Sequence, residues 1–370
     1  MSHVTEDVQK IREPWQAAKR RGPSYSDSGV SISAGEQAVE LLKSKVRKTY
    51  RPEVIGGIGG FAGLFKLDVA KYKQPLLASS TDGVGTKLVI AQQMGIHDTV
   101  GIDLVAMIVD DLVACGAEPL FMQDYIACGE VVPSRIAEIA GGMADGCRYA
   151  GCSLVGGEIA EHPGVMRADE YDISGTAVGV VDADKVLGPE RVQQGDVVIA
   201  LRSSGLHSNG YSLVRHIFQT VNRLGLESVV EELGAQRTLG EELLTPTRIY
   251  TKDCLALIQE CEVRAFAHIT GGGIPGNLDR ILPPNLDAVV DRSTWRPQPI
   301  FELVHARGKV EMSEMERTFN MGAGMMAVIA PEDTDRALAL LTARGVEAWT
   351  VGEVVEGRGV VQMKGDFARD

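Results

Sequence analysis

Clustered glycines are the first feature of this sequence that points to chemistry. Of 370 residues, 42 are glycine, which exceeds the usual share of ~7%, and they gather in the segments 56–63, 81–87 and 270–273. Because glycine has no side chain, its backbone N–H groups can approach an anion closely. The clusters therefore predict phosphate binding, with ordinary turns as the alternative. The candidates in the first two segments are Gly57, Gly59, Gly60, Asp82, Gly83, Gly85, Thr86 and Lys87.

Two familiar nucleotide motifs fit these segments only superficially. Residues 57–62 match the G-x-G-x-x-A pattern, but that fingerprint requires a buried strand before it and a long helix after it. Charged Arg51 and Glu53 precede the pattern here. The run 83–87 ends in Thr-Lys, whereas a P-loop requires Gly-Lys followed by Ser or Thr. Both motifs are rejected, and the loops are expected to bind phosphate in another way.

Aspartates supply a second candidate chemistry. Residues 102–113 predict an amphipathic helix with Asp103 and Asp110 together on the side opposite the apolar residues, and with Asp111 about 80° from Asp103. Three aspartates without an intervening basic residue repel one another, and Mg²⁺ would relieve that repulsion because it takes carboxylate and phosphate oxygens. A solvated polar face is the alternative. Since Asp103 and Asp110 are two turns apart, they cannot both bind one ion unaided. The further candidate ligands, both beside glycines, are Asp82 and Glu158.

Two histidines lie where functional side chains are often found. His207 belongs to the polar loop 203–210, just after a predicted strand, and His268 immediately precedes the 270–273 cluster. Polar residues on loops at strand ends often bind ligands or act in catalysis. A hydrogen bond that only holds the loop is the alternative for His207.

Composition excludes several classes of protein. The apolar and charged shares, 44% and 24%, are those of a globular protein, and the net charge of −13 argues against a general nucleic-acid or membrane-surface role. No run of about 18 apolar residues could span a bilayer, and the N-terminus lacks the apolar core of a signal peptide. The six cysteines form no C-x-x-C pair and no zinc-finger spacing, which indicates reduced, buried thiols in a cytoplasmic protein.

The elements that must position these residues form two mixed α/β domains. We expect a weakly ordered extension at 1–22, an N-terminal domain at 23–185 and a C-terminal domain at 186–370, separated by turn-forming residues. Ser33 begins a capping-box pattern that predicts a helix from about 35 to 48. The other predicted helices cover 101–115 and 134–150, and the predicted strands cover 75–80, 152–156, 173–181, 197–201 and, at the end of the fold, 347–355.

Together the motifs resemble the aminoimidazole ribonucleotide synthetases over roughly residues 25 to 356. They occur in the family's order and at its spacing, which makes the joint match highly specific. In the first half the matching segments are 27–32, 51–61, 79–87, 101–107 with Asp111, 116–119 and 156–158. In the second half they are 203–205, 207–212, 268–273 and 319–322.

This resemblance implies both a fold and a reaction. The fold is a two-domain ATP-binding synthetase of mixed α/β (α+β) class, in which the N-terminal sheets of a homodimer complete a β-barrel and ATP lies in a groove at the interface. The reaction is ATP-dependent closure of formylglycinamidine ribonucleotide to aminoimidazole ribonucleotide, with ADP and phosphate as products. No nucleic acid or membrane takes part.

The resemblance also implies roles for individual residues. ATP would lie on the two phosphate-binding glycine loops. A proton acceptor is needed, and His207 is the first candidate because an imidazole of ordinary pKa, about 6.5, accepts a proton at neutral pH; His268 is the second. Lys43 completes the catalytic set. The implied Mg²⁺ ligands are Asp82, Asp103, Asp111 and Glu158, and the implied substrate residues are Ser208, Asn209, Thr270, Gly271 and Gly272.

The sequence departs from the family pattern at a few positions. Family members commonly have Asn at 36 and 110, Thr at 159, Met at 162 and Pro at 206. The residues here are Glu36, Asp110, Ile159, His162 and Leu206. Related alternatives are a thiamine-monophosphate kinase, which typically has an acidic pair in the early glycine loop that residues 56–65 lack, and a selenophosphate synthetase, which needs a reactive residue there. A catalytically inactive nucleotide-binding regulator would have lost acids that are present here.

Overall fold

The protein is built around two main β-sheets that are each flanked by helices, with a separate two-stranded hairpin. The structure is a computed structural model and describes residues 24–234 and 237–368. The extension predicted at 1–22 lies outside these ranges. Strands of the first half form a four-stranded sheet, and strands of the second half form a six-stranded sheet. The mixed α/β class expected from the sequence is confirmed.

The first half of the chain contains four helices and a main sheet of four strands. The helices are α1 (Ile32–Arg47), α2 (Lys87–Met94), α3 (Asp98–Ala114) and α4 (Pro133–Ala150). The strands are β1 (Val54–Ile55), β2 (Leu64–Phe65), β3 (Pro75–Gly83), β4 (Glu118–Cys128), β5 (Ser153–Glu161) and β6 (Tyr171–Asp182). The main sheet has the order β3, β6, β4, β5, with only the β4/β5 pair parallel, and β1 and β2 form a separate hairpin.

Helix α1 begins earlier than its capping pattern predicts. Its N-cap is Ser31, whose extended backbone lets the hydroxyl accept a hydrogen bond from Ala34 N–H at 3.2 Å. The start predicted from Ser33 is therefore wrong, because Ser33 already lies inside the helix. The helix itself is confirmed.

Two glycines allow helices α3 and α4 to cross at very short distance. A Cβ on Gly101 would lie 2.3 Å from the carbonyl oxygen of Ile139, and one on Gly142 would lie 1.7 Å from that of Asp98. No side chain fits at either position, so this close crossing of α3 and α4 requires glycine at both. The other side of α3 contacts the second half of the chain at α7 and β8, whose bounds follow.

The second half surrounds a six-stranded sheet. Its helices are α5 (Tyr211–Arg215), α6 (Leu239–Leu243), α7 (Thr251–Glu260), α8 (Gly273–Leu278), α9 (Pro299–Gly308), α10 (Met312–Thr318) and α11 (Thr334–Ala343). Its strands are β7 (Val197–Arg202), β8 (Val263–His268), β9 (Leu286–Asp291), β10 (Ala323–Ile329), β11 (Ala348–Glu356) and β12 (Val361–Lys364). The order is β12, β9, β11, β7, β10, β8.

The last strand is one that the sequence did not predict. We expected the fold to end with the strand at 347–355, but β12 follows it and pairs in parallel with β9. This short edge strand alternates between half-buried and exposed residues, so it carries no apolar run that would identify it. Within the described residues, no helix is long and apolar enough to cross a membrane.

Candidate active site between the two halves

Three of the predicted functional loops meet where the two halves touch. The hydroxyl of Thr86 lies 3.0 Å from that of Ser212, which connects the 81–87 loop to the second half. Asn209 Oδ1 accepts a hydrogen bond from Gly271 N–H at 3.1 Å, which joins the two loops of the second half. The predicted substrate residues therefore lie in one region beside the 81–87 loop.

Carboxylates gather around His268 at the end of β8. Its Nδ1 lies 2.9 Å from Asp111 Oδ1. Burial by itself lowers the pKa of His268, but the bond to Asp111 and the charges of Asp110, Asp111 and Asp82 raise it overall. For Asp82, burial has the opposite effect and raises the pKa, and the charge of Asp111 adds a smaller contribution in the same direction. Two predicted metal ligands and one predicted catalytic residue are thus neighbours.

His207 is buried and is hydrogen-bonded within its own loop. It is 1% exposed, and Ser204 N–H donates to its Nε2 at 3.1 Å, so the neutral ring carries its proton on Nδ1. Burial, followed by the charges of His268 and Lys87, lowers the pKa of His207 well below its ordinary value. The expectation of an ordinary pKa is contradicted. The alternative, a hydrogen bond that holds the loop, is present.

Lys87 and Asp103 form a buried ion pair. Both residues are 0% exposed, and Lys87 Nζ lies 2.9 Å from each Asp103 oxygen. The ammonium also donates to the carbonyl oxygens of His207 at 3.1 Å and Thr245 at 2.7 Å. Asp103 Oδ1 accepts from the N–H and the hydroxyl of Thr247, at 2.7 and 2.6 Å. Lys87, predicted to bind phosphate, and Asp103, predicted to bind metal, are thus paired with one another and hydrogen-bonded to the second half.

Asp110 makes the other buried connection from α3. Its carboxylate accepts from Tyr250 N–H at 3.0 Å and from the Thr251 hydroxyl at 2.9 Å, at the first turn of α7, where a negative charge is favourable. Burial raises the pKa of Asp110 to about 6, against the opposing charge of His268 and these two hydrogen bonds. The solvated face considered for Asp103 and Asp110 is therefore wrong, because the second half covers it.

The first glycine cluster lies elsewhere, at the turn of the β1/β2 hairpin. Gly57 and Gly59 are exposed, and a Cβ on either would meet no atom within 4 Å; Gly60 is equally exposed. Ile58 of this turn and Glu158 of β5 line a cavity of about 280 Å³ between α1 and the main sheet. This cavity is a second candidate region for a ligand.

Asp82 and Glu158 lie on opposite edge strands of the main sheet. Across its four strands, Asp82 is aligned with Gly175, Asp124 and Gly157 in turn. Neighbouring strands are ~4.8 Å apart, so Asp82 and the start of the Glu158 side chain are roughly 14 Å apart. The predicted four-residue Mg²⁺ set is thus not assembled within one chain. Among the described residues, no group of three or more His, Cys, Asp or Glu is placed to hold a metal ion.

Lys43 lies on α1, more than 160 positions along the chain from His207 and His268. Its Nζ donates to Glu40 Oε2 at 2.5 Å on the surface of the helix. Its neighbour Leu42 lines the cavity that contains Glu158. Lys43 is thus on the helix that borders this cavity and not on the loops around His268.

Sequence reasoning missed Asp124 and Thr247. Asp124 packs against the backbone of the neighbouring strand: a Cβ on Gly157 would lie 2.2 Å from its carboxylate oxygen. Burial raises the pKa of Asp124 to about 7. An acidic residue inside an apolar strand was a signal that we could have used. Thr247 gave no signal, because its partner Asp103 is 144 positions away.

The fold, with a candidate site where the two halves of the chain meet, is that of the AIR synthase related class of proteins. Residues 63–181 match the model of the AIR synthase related protein N-terminal domain, and residues 193–364 match that of the C-terminal domain. A relative from Anaeromyxobacter sp. (strain K), named phosphoribosylformylglycinamidine cyclo-ligase, is 54% identical over 334 residues, which cover 90% of this chain and 96% of the relative. The chain belongs to the phosphoribosylformylglycinamidine cyclo-ligase family.

Solved structures of more distant proteins share the fold. Thiamine-monophosphate kinase from Stenotrophomonas maltophilia K279a has a TM-score of 0.65 at 19% identity, with 89% of this chain and 97% of that chain covered. The hydrogenase maturation protein HypE in complex with ATP has a TM-score of 0.63 at 18% identity, with 91% and 93% covered. At these identities the likeness concerns the fold and not the activity.

Proposed function

We propose that the protein is the ATP-dependent cyclo-ligase that converts formylglycinamidine ribonucleotide to aminoimidazole ribonucleotide, ADP and phosphate in purine biosynthesis. Membership of the cyclo-ligase family supports the reaction. The observation that carries the proposal to this chain is the meeting of the 81–87, 203–212 and 268–273 loops at one place. We further propose a cytoplasmic location, in keeping with six free cysteines.

The reaction is proposed to proceed in two steps. The formyl oxygen of the substrate is a poor leaving group, so the γ-phosphoryl group of ATP is first transferred to it, which gives an iminophosphate and ADP. The amidine nitrogen then attacks the formyl carbon, the C–O bond to phosphate breaks, and the nitrogen loses a proton. Phosphoryl transfer depends mainly on positioning and charge neutralisation, and ring closure depends on proximity.

Loop residues of the second half are proposed to hold the substrate. Asn209 and Gly271 are hydrogen-bonded to each other, and Ser208, Thr270 and Gly272 flank them. The proton acceptor is proposed to be His268 and not His207. Asp111 accepts from the Nδ1–H of His268 at 2.9 Å, which leaves Nε2, without a hydrogen-bond partner among the described residues, as the nitrogen that accepts the proton.

Mg²⁺ is proposed to bind beside His268, through Asp82 and Asp111. The donor set fits this ion, because Mg²⁺ is usually held by one or two carboxylates together with phosphate oxygens and water. Burial raises the pKa of Asp82, as does the neighbouring charge of Asp111, and a cation would relieve that repulsion. When bound, the ion neutralises charge on the transferred phosphoryl group.

ATP is proposed to lie in a groove between two subunits, where the first sheet of each completes a β-barrel. One face of this sheet carries exposed side chains on adjacent strands, among them Leu77 and Thr81 of β3, Tyr125 of β4 and Thr176 of β6. A second copy would cover this face and the sheet edges. Such a dimer would also supply Glu158, Lys43 and the first glycine cluster from one subunit to Asp82 of the other.

The test is ADP release from the purified protein with ATP and formylglycinamidine ribonucleotide, together with detection of the aminoimidazole product. We expect one ADP and one product per turnover, and no ADP release with thiamine monophosphate as the phosphoryl acceptor. ADP release without ring closure, or activity with thiamine monophosphate alone, would refute the proposal. Light scattering after gel filtration should give twice the chain mass.

A further inference from the structure

The buried ammonium of Lys87 touches both halves of the proposed site. We propose that Lys87 is a positioning residue that fixes the substrate loop, residues 204–208, relative to the phosphate loop, residues 81–86. The inference rests on the proposed function, because that function makes the 204–208 loop part of the substrate site. Lys87 acts through the backbone of this loop and does not touch a reacting group.

The contacts of Lys87 account for all of its donors. One N–H group is directed at Asp103, one at the His207 carbonyl and one at the Thr245 carbonyl. An ammonium has three N–H donors. The carbonyl of His207 belongs to the substrate loop, whereas Lys87 itself follows Thr86 directly and begins α2. A single side chain therefore joins the two loops that hold the two reactants.

The substrate loop needs such support because its backbone is strained. His207 has a φ of 63°, which a residue with a side chain adopts only at a cost in free energy and only when its surroundings hold it there. Ser204 provides two of the other holding contacts, from its N–H to His207 Nε2 at 3.1 Å and from its hydroxyl to the Pro246 carbonyl at 2.6 Å. The bond from Lys87 to the His207 carbonyl is the one that comes from the first half.

Charge explains why a lysine occupies this position. Burial lowers the pKa of Lys87, and the charge and hydrogen bond of Asp103 act in the opposite direction. An apolar residue would leave the buried His207 carbonyl and the part-buried Thr245 carbonyl without this donor and the Asp103 carboxylate without its counterion, which is unfavourable. Asp103 also accepts from Thr247 of the second half. Hydrogen bonds to the second half therefore hold both members of the pair.

The test uses the paired substitution Lys87→Met with Asp103→Asn in the full chain. The second change removes the charge that the first would leave unpaired, while the amide oxygen can still accept from Thr247. The matched control is Lys252→Met, because exposed Lys252 also donates from one half to a backbone carbonyl of the other, that of Arg148 at 2.9 Å. If the paired variant does not fold, Lys87→Leu with Asp103→Asn replaces it, because leucine likewise has no N–H donor.

Two measurements are made on each variant. Amide hydrogen exchange in residues 204–208 should become at least about tenfold faster in the Lys87 variant and stay unchanged in the control. The value of kcat/KM for formylglycinamidine ribonucleotide should fall by roughly 10- to 100-fold, the span expected for misplacement of a reactant, with the KM for ATP within about twofold.

The outcomes separate this inference from the proposed function. Unchanged exchange in residues 204–208 overturns it, and so does faster exchange with kinetics equal to those of the control. A wild-type protein that releases no ADP with its substrate refutes the proposed function, whereas the exchange measurement still reports on the contact of Lys87 with the loop.

Discussion

Replacing Asp110 by Asn should stabilise the protein at alkaline pH. Asp110 is fully buried, and burial raises its pKa from 3.8 to about 6. The difference, 6 − 3.8, is about 2.2 units, and at ~1.36 kcal/mol per unit it corresponds to about 3 kcal/mol of unfolding free energy. Asparagine removes the charge, while its amide oxygen can still accept the bonds from Tyr250 and Thr251.

The pH dependence of this gain has a definite sign. A raised carboxyl pKa means that the folded state binds the proton more tightly, so the wild type becomes more stable as the pH falls through about 6 toward 3.8. The advantage of Asp110→Asn is therefore largest near pH 8, about half as large near pH 5 and small near pH 4. The pKa of about 6 already includes the attraction of His268, so we expect a net gain of about 1–3 kcal/mol at pH 8, and the lower part of this range accounts for the new buried amide N–H₂ group, which needs acceptors of its own.

The assay is thermal unfolding of both proteins in EDTA at pH 8 and at pH 5. EDTA removes divalent metal, so binding beside Asp111 does not contribute. The matched control is Asp145→Asn, since Asp145 has a half-exposed side chain on α4 and pairs only with nearby Arg148; its effect should be small at both pH values. A variant that is less stable at pH 8, or equally stabilised at both values, would refute the reasoning.

Substitutions at four further residues test the site. His207→Ala should raise the substrate KM and lower the Tm, yet leave the shape of the kcat profile between pH 6 and 8 unchanged, because the lowered pKa of His207 keeps it neutral there; disappearance of an ionisation near 6.5 would contradict this. Asp82→Asn and Asp111→Asn should each increase the Mg²⁺ requirement at least about tenfold with little change in Tm, and normal turnover at limiting Mg²⁺ would disprove the metal assignment. Lys43→Met should raise the KM for ATP several-fold, whereas Glu40→Gln, which breaks only their exposed ion pair, should not.

The sequence predicted helices and strands better than it predicted which residues pack against them. The periodicity of α3 identified the helix and grouped Asp103 with Asp110 on one side, and the structure agrees. The same pattern could not show that this side is covered by the second half, because the covering residue Thr247 is 144 positions from Asp103. An amphipathic pattern separates polar from apolar sides, but a buried polar side looks like a solvated one until its partners are known.

The loops show the same limit. The resemblance assigned the 81–87 loop to ATP, together with the first glycine cluster, and assigned residues of the 203–212 and 268–273 loops to the substrate; in the structure the 81–87 loop meets the two substrate loops and not the first cluster. It did not separate residues that face a ligand from residues that hold the loops together. His207 illustrates this: its place after a strand suited a catalytic base, but its left-handed backbone turns the imidazole into the loop, where Ser204 N–H binds it. Backbone conformation of this kind is not visible in residue type.

The two carboxylates of α3 have a consequence for recombination between related genes. Asp103 and Asp110 each accept from a side-chain hydroxyl of the other half, that of Thr247 and that of Thr251. A chimaera that joins the first half of one homologue to the second half of another would pair contact residues that come from different proteins. If either half lacked its acceptor or donor, a buried charge would be left without a partner, and a crossover at the linker would yield an insoluble product even when each parent folds well. If α3 and residues 245–251 are exchanged together, the two carboxylates and their hydrogen-bond donors come from the same parent. These two segments should therefore be transferred as one unit.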